Sequence, residues 1–264
     1  MSIMKKFIAI VLTVVMVACM FAGCAGNSGS DLKYIQDKGK LIVGITEYPP
    51  MDYKDDNGEW IGFDADLAKA VAAKLGVEVE FYLIADWSKK FIELEDKQID
   101  VVWNGMTISD TVKNNCSCSI PYVYNAQVIV VPDDKLDAYA DVAAMKDAKF
   151  TVENGSAAVD AAAEAGFTNV VALQYQTNAL MEVAAGTSDA CIIDYTMAKN
   201  MTADGAAYDN LDILFTLTEE EYGIGFRKGS DVTEKVNQIL KELAADGTMQ
   251  ALADKYGVSL ADGL

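Results

Sequence analysis

Short unbroken apolar runs alternate along this chain with stretches in which apolar residues recur every three or four positions. That is the pattern of buried parallel strands joined by amphipathic helices. Asp31 to Gly39 reads as a short helix stopped at glycine, and Lys40 to Ile45 as a first strand. After an Asn57-Gly58 turn, Asp64 is placed to cap a helix whose apolar positions Leu67, Val71 and Leu75 recur until Gly76 ends it. Val77 to Leu83 is a second strand, Trp87 to Glu95 a helix with Trp87, Phe91 and Leu94 on one side, and Ile99 to Trp103 a third strand. The order β-α-β-α-β predicts a doubly wound sheet.

A second unit follows. Gln127 to Val131, Lys149 to Glu153, Val170 to Tyr175, Ala190 to Asp194 and Leu211 to Leu217 read as strands. Helices are expected over Lys135 to Met145, Ala157 to Ala165 and Asn178 to Ala185. Two further helices, Asp231 to Ala245 and Thr248 to Tyr256, end the chain, with Asp231 and Glu234 spaced like a capping box. No Ser- or Pro-rich linker separates the units, so strands are expected to cross directly between two lobes, with the ligand site in the cleft.

The amino terminus changes the setting. Lys5 and Lys6 precede an apolar run from Phe7 to Phe21 that is too short to span a bilayer, and small residues follow it. Residues 1–23 therefore read as an export signal. Phe21-Ala22-Gly23-Cys24 resembles a bacterial lipobox, with Cys24 as the lipidated residue, a lipid anchor on the outer face of the cell membrane, and residues 24–30 as a flexible tether.

Acidic residues number 40 against 21 basic ones, a net charge of −19. No basic patch offsets it, which argues against nucleic acid or anionic lipid headgroups as partners. Histidine is absent, removing the commonest general base and metal ligand together, and no cofactor, metal or catalytic residue is expected. Cys116 and Cys118 stand too close for an easy bridge and, with Cys191, read as small apolar side chains.

Candidate chemistry gathers at strand ends. Asn104, Gly105 and Thr107 follow the third strand, where open α/β sheets place ligands. Thr46 to Tyr53 is a polar, aromatic loop in which two prolines fix the presentation of Tyr48. Ser156 opens a helix whose free backbone amides could receive an anion, and Asp194 again ends a strand.

Taken together, Leu41 to Met51 (LIVGITEYPPM), Gly62 to Leu67 (GFDADL), Asp86-Trp87, Ile99 to Ile108 (IDVVWNGMTI), Ser119 to Tyr122 (SIPY), Gly155-Ser156, Asp189 to Asp194 (DACIID) and Tyr222 to Ser230 (YGIGFRKGS) resemble a known family. It is that of the solute-binding proteins of bacterial amino-acid ABC importers, extracellular solute-binding protein family 3. The resemblance implies an α/β fold of the periplasmic-binding-protein-like type II, with two α/β lobes joined by two crossover strands. It places a large lobe at residues 31–120 plus 225–264, a small lobe at 127–219 and a hinge at 121–126 and 220–224. Such proteins shut around one small-molecule solute and the shut form docks on an ABC permease in the membrane. A monomer is expected.

The resemblance also assigns roles. Tyr48 and Trp87 would be walls for the ligand, Gly105 and Thr107 would hold a carboxylate with an amide and a hydroxyl, Ser156 would help from the opposite lobe, and Asp194 would pair with an α-ammonium. Asn104 belongs to the same strand end, and Glu47 with Asp52, Glu153 and Asp194 leaves an acid-rich, aromatic cleft suited to a cation. Trp103 reads as core. Where the family places an arginine that grips the α-carboxylate, this chain has Val112, which cannot replace a guanidinium. Ala157 likewise stands where a glycine often follows the small-lobe serine. The leading expectation is a non-catalytic receptor for an amino acid or related amine-bearing solute. A dehydratase-like enzyme using Glu47 or Glu153 as general acid is the second reading, and a sensor subunit presenting its solute to a membrane receptor the third.

Overall fold

A computed structural model of the chain describes residues 29–264. The expected signal, Cys24 and most of the tether lie outside the described residues.

The fold is mixed α/β in two lobes. In the first, β1 (Lys40–Ile45) runs parallel to β4 (Glu78–Leu83) on one side and β5 (Val101–Thr107) on the other, and a short ribbon, β2 (Tyr53–Lys54) with β3 (Trp60–Ile61), leads into the helix Phe63–Leu75. In the second, β8 (Phe150–Glu153) lies parallel to both β9 (Val170–Leu173) and β10 (Ala190–Asp194). Two antiparallel strands, β7 (Val123–Pro132) and β11 (Leu211–Phe226), run from lobe to lobe. One face of β11 pairs with β5 at Tyr222 to Phe226, and its length from Leu211 to Tyr222 pairs with β7. The result is one continuous sheet ordered β4-β1-β5-β11-β7-β10-β8-β9, with β6 (Ser117–Cys118) on β11. Where the chain passes between lobes, Asn125 stands opposite Glu220 and Tyr124 opposite Glu221.

Four local expectations are corrected by packing. β5 does not end at Trp103 but continues through Asn104, Gly105, Met106 and Thr107, because β11 pairs with it there. Gly105 makes this possible: its φ is +57°, and a Cβ on it would stand 2.6 Å from the ring of Tyr48 and 3.0 Å from that of Tyr222. Asp64 does not cap its helix; Gly62 holds the cap position, and Asp64 turns inward to accept from the Gly105 N–H at 2.7 Å and the Tyr122 hydroxyl at 2.9 Å. The helix expected over Lys135 to Met145 is two 3₁₀ segments, Asp133–Ala138 and Val142–Met145, of which only Met145 is buried. With so little apolar surface to bury, nothing in the packing favours a continuous helix. Asp231 serves another partner than its own helix, accepting from Ser30 Oγ at 2.5 Å and the Leu32 N–H at 2.9 Å.

Trp103 is core, as predicted, packed edge-on to Tyr122. Buried Arg227, just past β11, reaches residues from far earlier in the chain. Its guanidinium donates to Asp31 at 2.9 Å and to the carbonyls of Leu94 at 3.1 Å and Ile99 at 2.8 Å, with Asp100 at 3.5 Å. Among the described residues no helix is long and apolar enough to cross a membrane.

Candidate functional site

Between the lobes lies a cavity of about 60 Å³, walled from one side by Trp87, Lys90, Phe91 and the end of β5, and from the other by Glu153, Gly155, Ser156, Gln176 and Asp194. The carboxyl ends of β5, β8 and β10 therefore converge on it. Small-molecule pockets usually run to about 300 Å³ or more, so this cavity is narrow, and a wider open groove adjoins it at Thr107, Ser109, Ala157 and Asp160. Cross-lobe contacts close the rim. Gln174 Nε2 donates to the Ala85 carbonyl at 2.9 Å, Asn154 Nδ2 to Asp86 at 3.3 Å, and Lys90 Nζ to the Gly155 carbonyl at 3.0 Å.

Of the residues singled out by sequence, Trp87, Asn104, Gly105, Thr107, Ser156 and Asp194 line the cavity. Trp87 sits in a 3₁₀ turn capped by Asp86, which accepts from the Ser88 N–H. Glu47 and Tyr48 do not reach the cavity. Glu47 is exposed, and Tyr48 is 1% exposed behind Gly105, its hydroxyl 2.5 Å from that of Tyr222. The loop folds inward there, the Tyr48 N–H donating to the Asp52 carbonyl.

Several groups expected to face a ligand are already engaged. The Gly105 N–H is taken by Asp64, and Thr107 Oγ1 donates to Glu220 at 2.9 Å. Asn104 binds Thr46 twice, accepting its N–H at 2.8 Å and donating to its hydroxyl at 2.7 Å. Ser156 donates its hydroxyl to the Glu153 carbonyl at 2.9 Å, leaving the helix Ala157–Glu164 without a side-chain cap.

Asp194 is the most elaborately supported group. Its Oδ1 accepts from Asn125 Nδ2 at 2.7 Å and Gln127 Nε2 at 2.8 Å, its Oδ2 accepts from Gln176 Nε2, and its N–H returns a bond to Gln176 Oε1. The same two amides also donate to Glu220, at 2.7 and 2.9 Å, so Asn125 and Gln127 bridge two carboxylates. Burial pushes the Asp194 carboxyl up to about 8, with Glu220 adding repulsion. Burial likewise lifts Glu153 to about 8, with Asp194 adding repulsion and Lys90 opposing it.

Sequence reasoning missed Lys90. Burial pulls its ammonium down to about 8, and it stands 4.7 Å from the centroid of Trp87 and 4.9 Å from that of Phe91. The signal was present: position 90 lies three residues after Trp87 and four before Leu94, on the face assigned to both. Gln127 and Gln176, also missed, carry no comparable mark, since only the fold brings them to Asp194.

The profile of bacterial extracellular solute-binding proteins, family 3, matches residues 41–259. The L-cystine-binding protein TcyJ of Escherichia coli (strain K12) is 28% identical over 253 residues, covering 92% of both chains. A mutant of ArgBP from T. maritima is 31% identical and superposes with a TM-score of 0.79 over 86% of this chain and 98% of that one. An ancestral amino-acid-binding protein, described as a precursor of cyclohexadienyl dehydratase, is 33% identical with a TM-score of 0.80 over 86% and 99%.

Proposed function

Since the chain belongs to the bacterial extracellular solute-binding proteins, family 3, we propose that it captures an amino acid or related amine-bearing solute between its lobes and delivers it to an ABC importer, held at the membrane by lipid on Cys24. The observation that carries this reading is Asp194. A buried carboxylate, fixed by three amides and set on the cavity wall, is an ammonium receptor whose own partners hold it in place. A cation seated beside it returns the ionised form that burial disfavours, so binding energy and deprotonation are linked. Relatives named for cystine binding and a likeness to ArgBP support the solute class.

In this reading residues 121–126 and 220–224 are the hinge, residues 31–120 with 225–264 and residues 127–219 are the two lobes, and ligand contacts from both lobes favour the shut state. Trp87, Ser156 and Asp194 are the contact residues carried from the sequence. Titration calorimetry of the purified protein with the common amino acids and small amines tests the central claim. A panel in which nothing binds would defeat it. Incorporation of labelled fatty acid that survives Cys24→Ser would defeat the anchor.

One feature favours a second reading: Glu153 stands on the cavity wall with its carboxyl lifted by burial to about 8, the direction a general acid needs. Mass spectrometry of a bound solute after prolonged incubation separates the two, a receptor returning it unchanged.

A further inference from the structure

Lys90 is 5% exposed and lines the cavity. Its ammonium has three protons to donate but finds only two carbonyl oxygens, Trp87 at 3.2 Å and Gly155 at 3.0 Å. None of the ion pairs among the described residues includes it. A cation taken out of water without a carboxylate at contact distance is costly unless something else neutralises it. Glu153, Asp160 and Asp194 share the cavity; none forms an ion pair with Lys90, although Glu153 and, less, Asp160 are close enough to favour its charged form.

The cavity thus has a cationic pole and an acidic one. Lys90 is its one lysine or arginine, since Val112 contributes an apolar surface 7% exposed. The rings of Trp87 and Phe91, 4.7 and 4.9 Å from the ammonium, favour a cation there. Near the same rim the uncapped amino end of the helix Ala157–Glu164 adds backbone N–H groups. We infer that Lys90 is the carboxylate receptor of this site, so that the solute is a zwitterion bridging Lys90 and Asp194 rather than a simple amine. The inference rests on the solute-binding reading and narrows it to solutes bearing both an ammonium and a carboxylate.

The test pairs amino acids with their decarboxylated amines: arginine with agmatine, histidine with histamine, and cystine, which has two carboxylates, with cystamine, which has none. Each is titrated into the wild type and into Lys90→Met, which keeps the stem and removes the charge. The wild type is expected to prefer an amino acid over its amine, and Lys90→Met to lose about 10- to 100-fold more affinity for that amino acid than for the amine, whose smaller loss is the share of the Lys90–Gly155 bond. Lys90→Arg, which keeps a cation, retains the preference and serves if the methionine variant does not fold. An amino-acid affinity unchanged in Lys90→Met overturns the inference. So does an equal loss for amino acid and amine, the signature of a latch that acts only through the Gly155 carbonyl. A wild type that prefers the amine also overturns it while leaving the solute-binding reading intact, whereas a wild type that binds nothing in the panel removes both.

Discussion

Gly155→Ala tests closure itself. An added Cβ would stand 2.7 Å from Ser88 Cα, 2.8 Å from its Cβ and 3.0 Å from its backbone N, in the opposite lobe. Backbone atoms cannot rotate out of the way, so the lobes must stay apart by several tenths of an ångström. Three hydrogen bonds cross near that point, Lys90 to Gly155, Asn154 to Asp86 and Gln174 to Ala85. At about 0.5–1.5 kcal/mol each their loss comes to about 1.5–4.5 kcal/mol, or about 10- to 2000-fold in affinity. The positive φ of +74° adds strain of about 1–2 kcal/mol, but it burdens open and shut forms alike and lowers the melting temperature rather than the affinity. Gly166→Ala is the control, because Gly166 has φ +79° and nothing within 4 Å. Calorimetric titration with whichever solute the wild type binds, alongside small-angle scattering with and without it, reads both consequences. If Gly155→Ala binds as tightly as Gly166→Ala and contracts equally on binding, the shut state does not depend on this contact and the reasoning fails.

Stability should fall as pH rises from about 5 to 8. Asp64, lifted by burial to about 7, and Glu153 and Asp194, lifted to about 8, keep protons in the folded state that the unfolded chain releases near pH 4. Asp55, Asp66 and Asp86 are shifted the other way, so their contribution disappears only as pH drops below the usual carboxylate range. Melting temperatures in low-salt buffers check the trend, and Asp52→Asn should flatten it, since both oxygens of that buried carboxyl lack a hydrogen-bond partner and burial raises it strongly. Cys118, half-buried, has its thiol lowered by the neighbouring Cys116 thiol 3.9 Å away and by Lys113 and Lys228, whereas burial raises Cys191. Iodoacetamide at neutral pH should therefore label Cys118 well before Cys191 in peptide maps, and equal rates would contradict that environment. Arg227→Leu should cost about 2–5 kcal/mol by urea unfolding, because it takes the guanidinium from Asp31 and from the carbonyls of Leu94 and Ile99, and a loss under 1 kcal/mol would be too small for that account.

The scaffold was readable because its signals are local. Lys40 to Ile45 and Ala190 to Asp194 are strands by composition alone, and Gly39 and Gly76 stop their helices in the left-handed conformation expected of them. What escaped depends on partners distant in sequence. β5 extends through the glycine because β11 arrives more than a hundred residues later, and Asp64 turns inward because Gly105 and Tyr122 are there to meet it. The site divided the same way. Trp87, Ser156 and Asp194 sit at element ends that pattern can locate, and the fold places them on the cavity. Tyr48 was misplaced because a rigid loop says nothing about which way it folds, and here Tyr222 offers its hydroxyl a buried partner.

The Arg227 clamp has a consequence for how such a chain is assembled. β7 through the first half of β11 is one uninterrupted stretch, whereas the sheet around β1 is finished only when Phe226 and Arg227 return to Val101, Asp31 and Ile99. For a polypeptide that emerges amino end first, the inserted half has all its residues in hand while its host still waits. Until the guanidinium emerges, Asp100 has only Lys38 and the Ile42 N–H for company, and the edge of β5 has no neighbour. Order of emergence and order of completion are therefore inverted, and the interval between them is when the exported chain is most open to proteases and to its own kind.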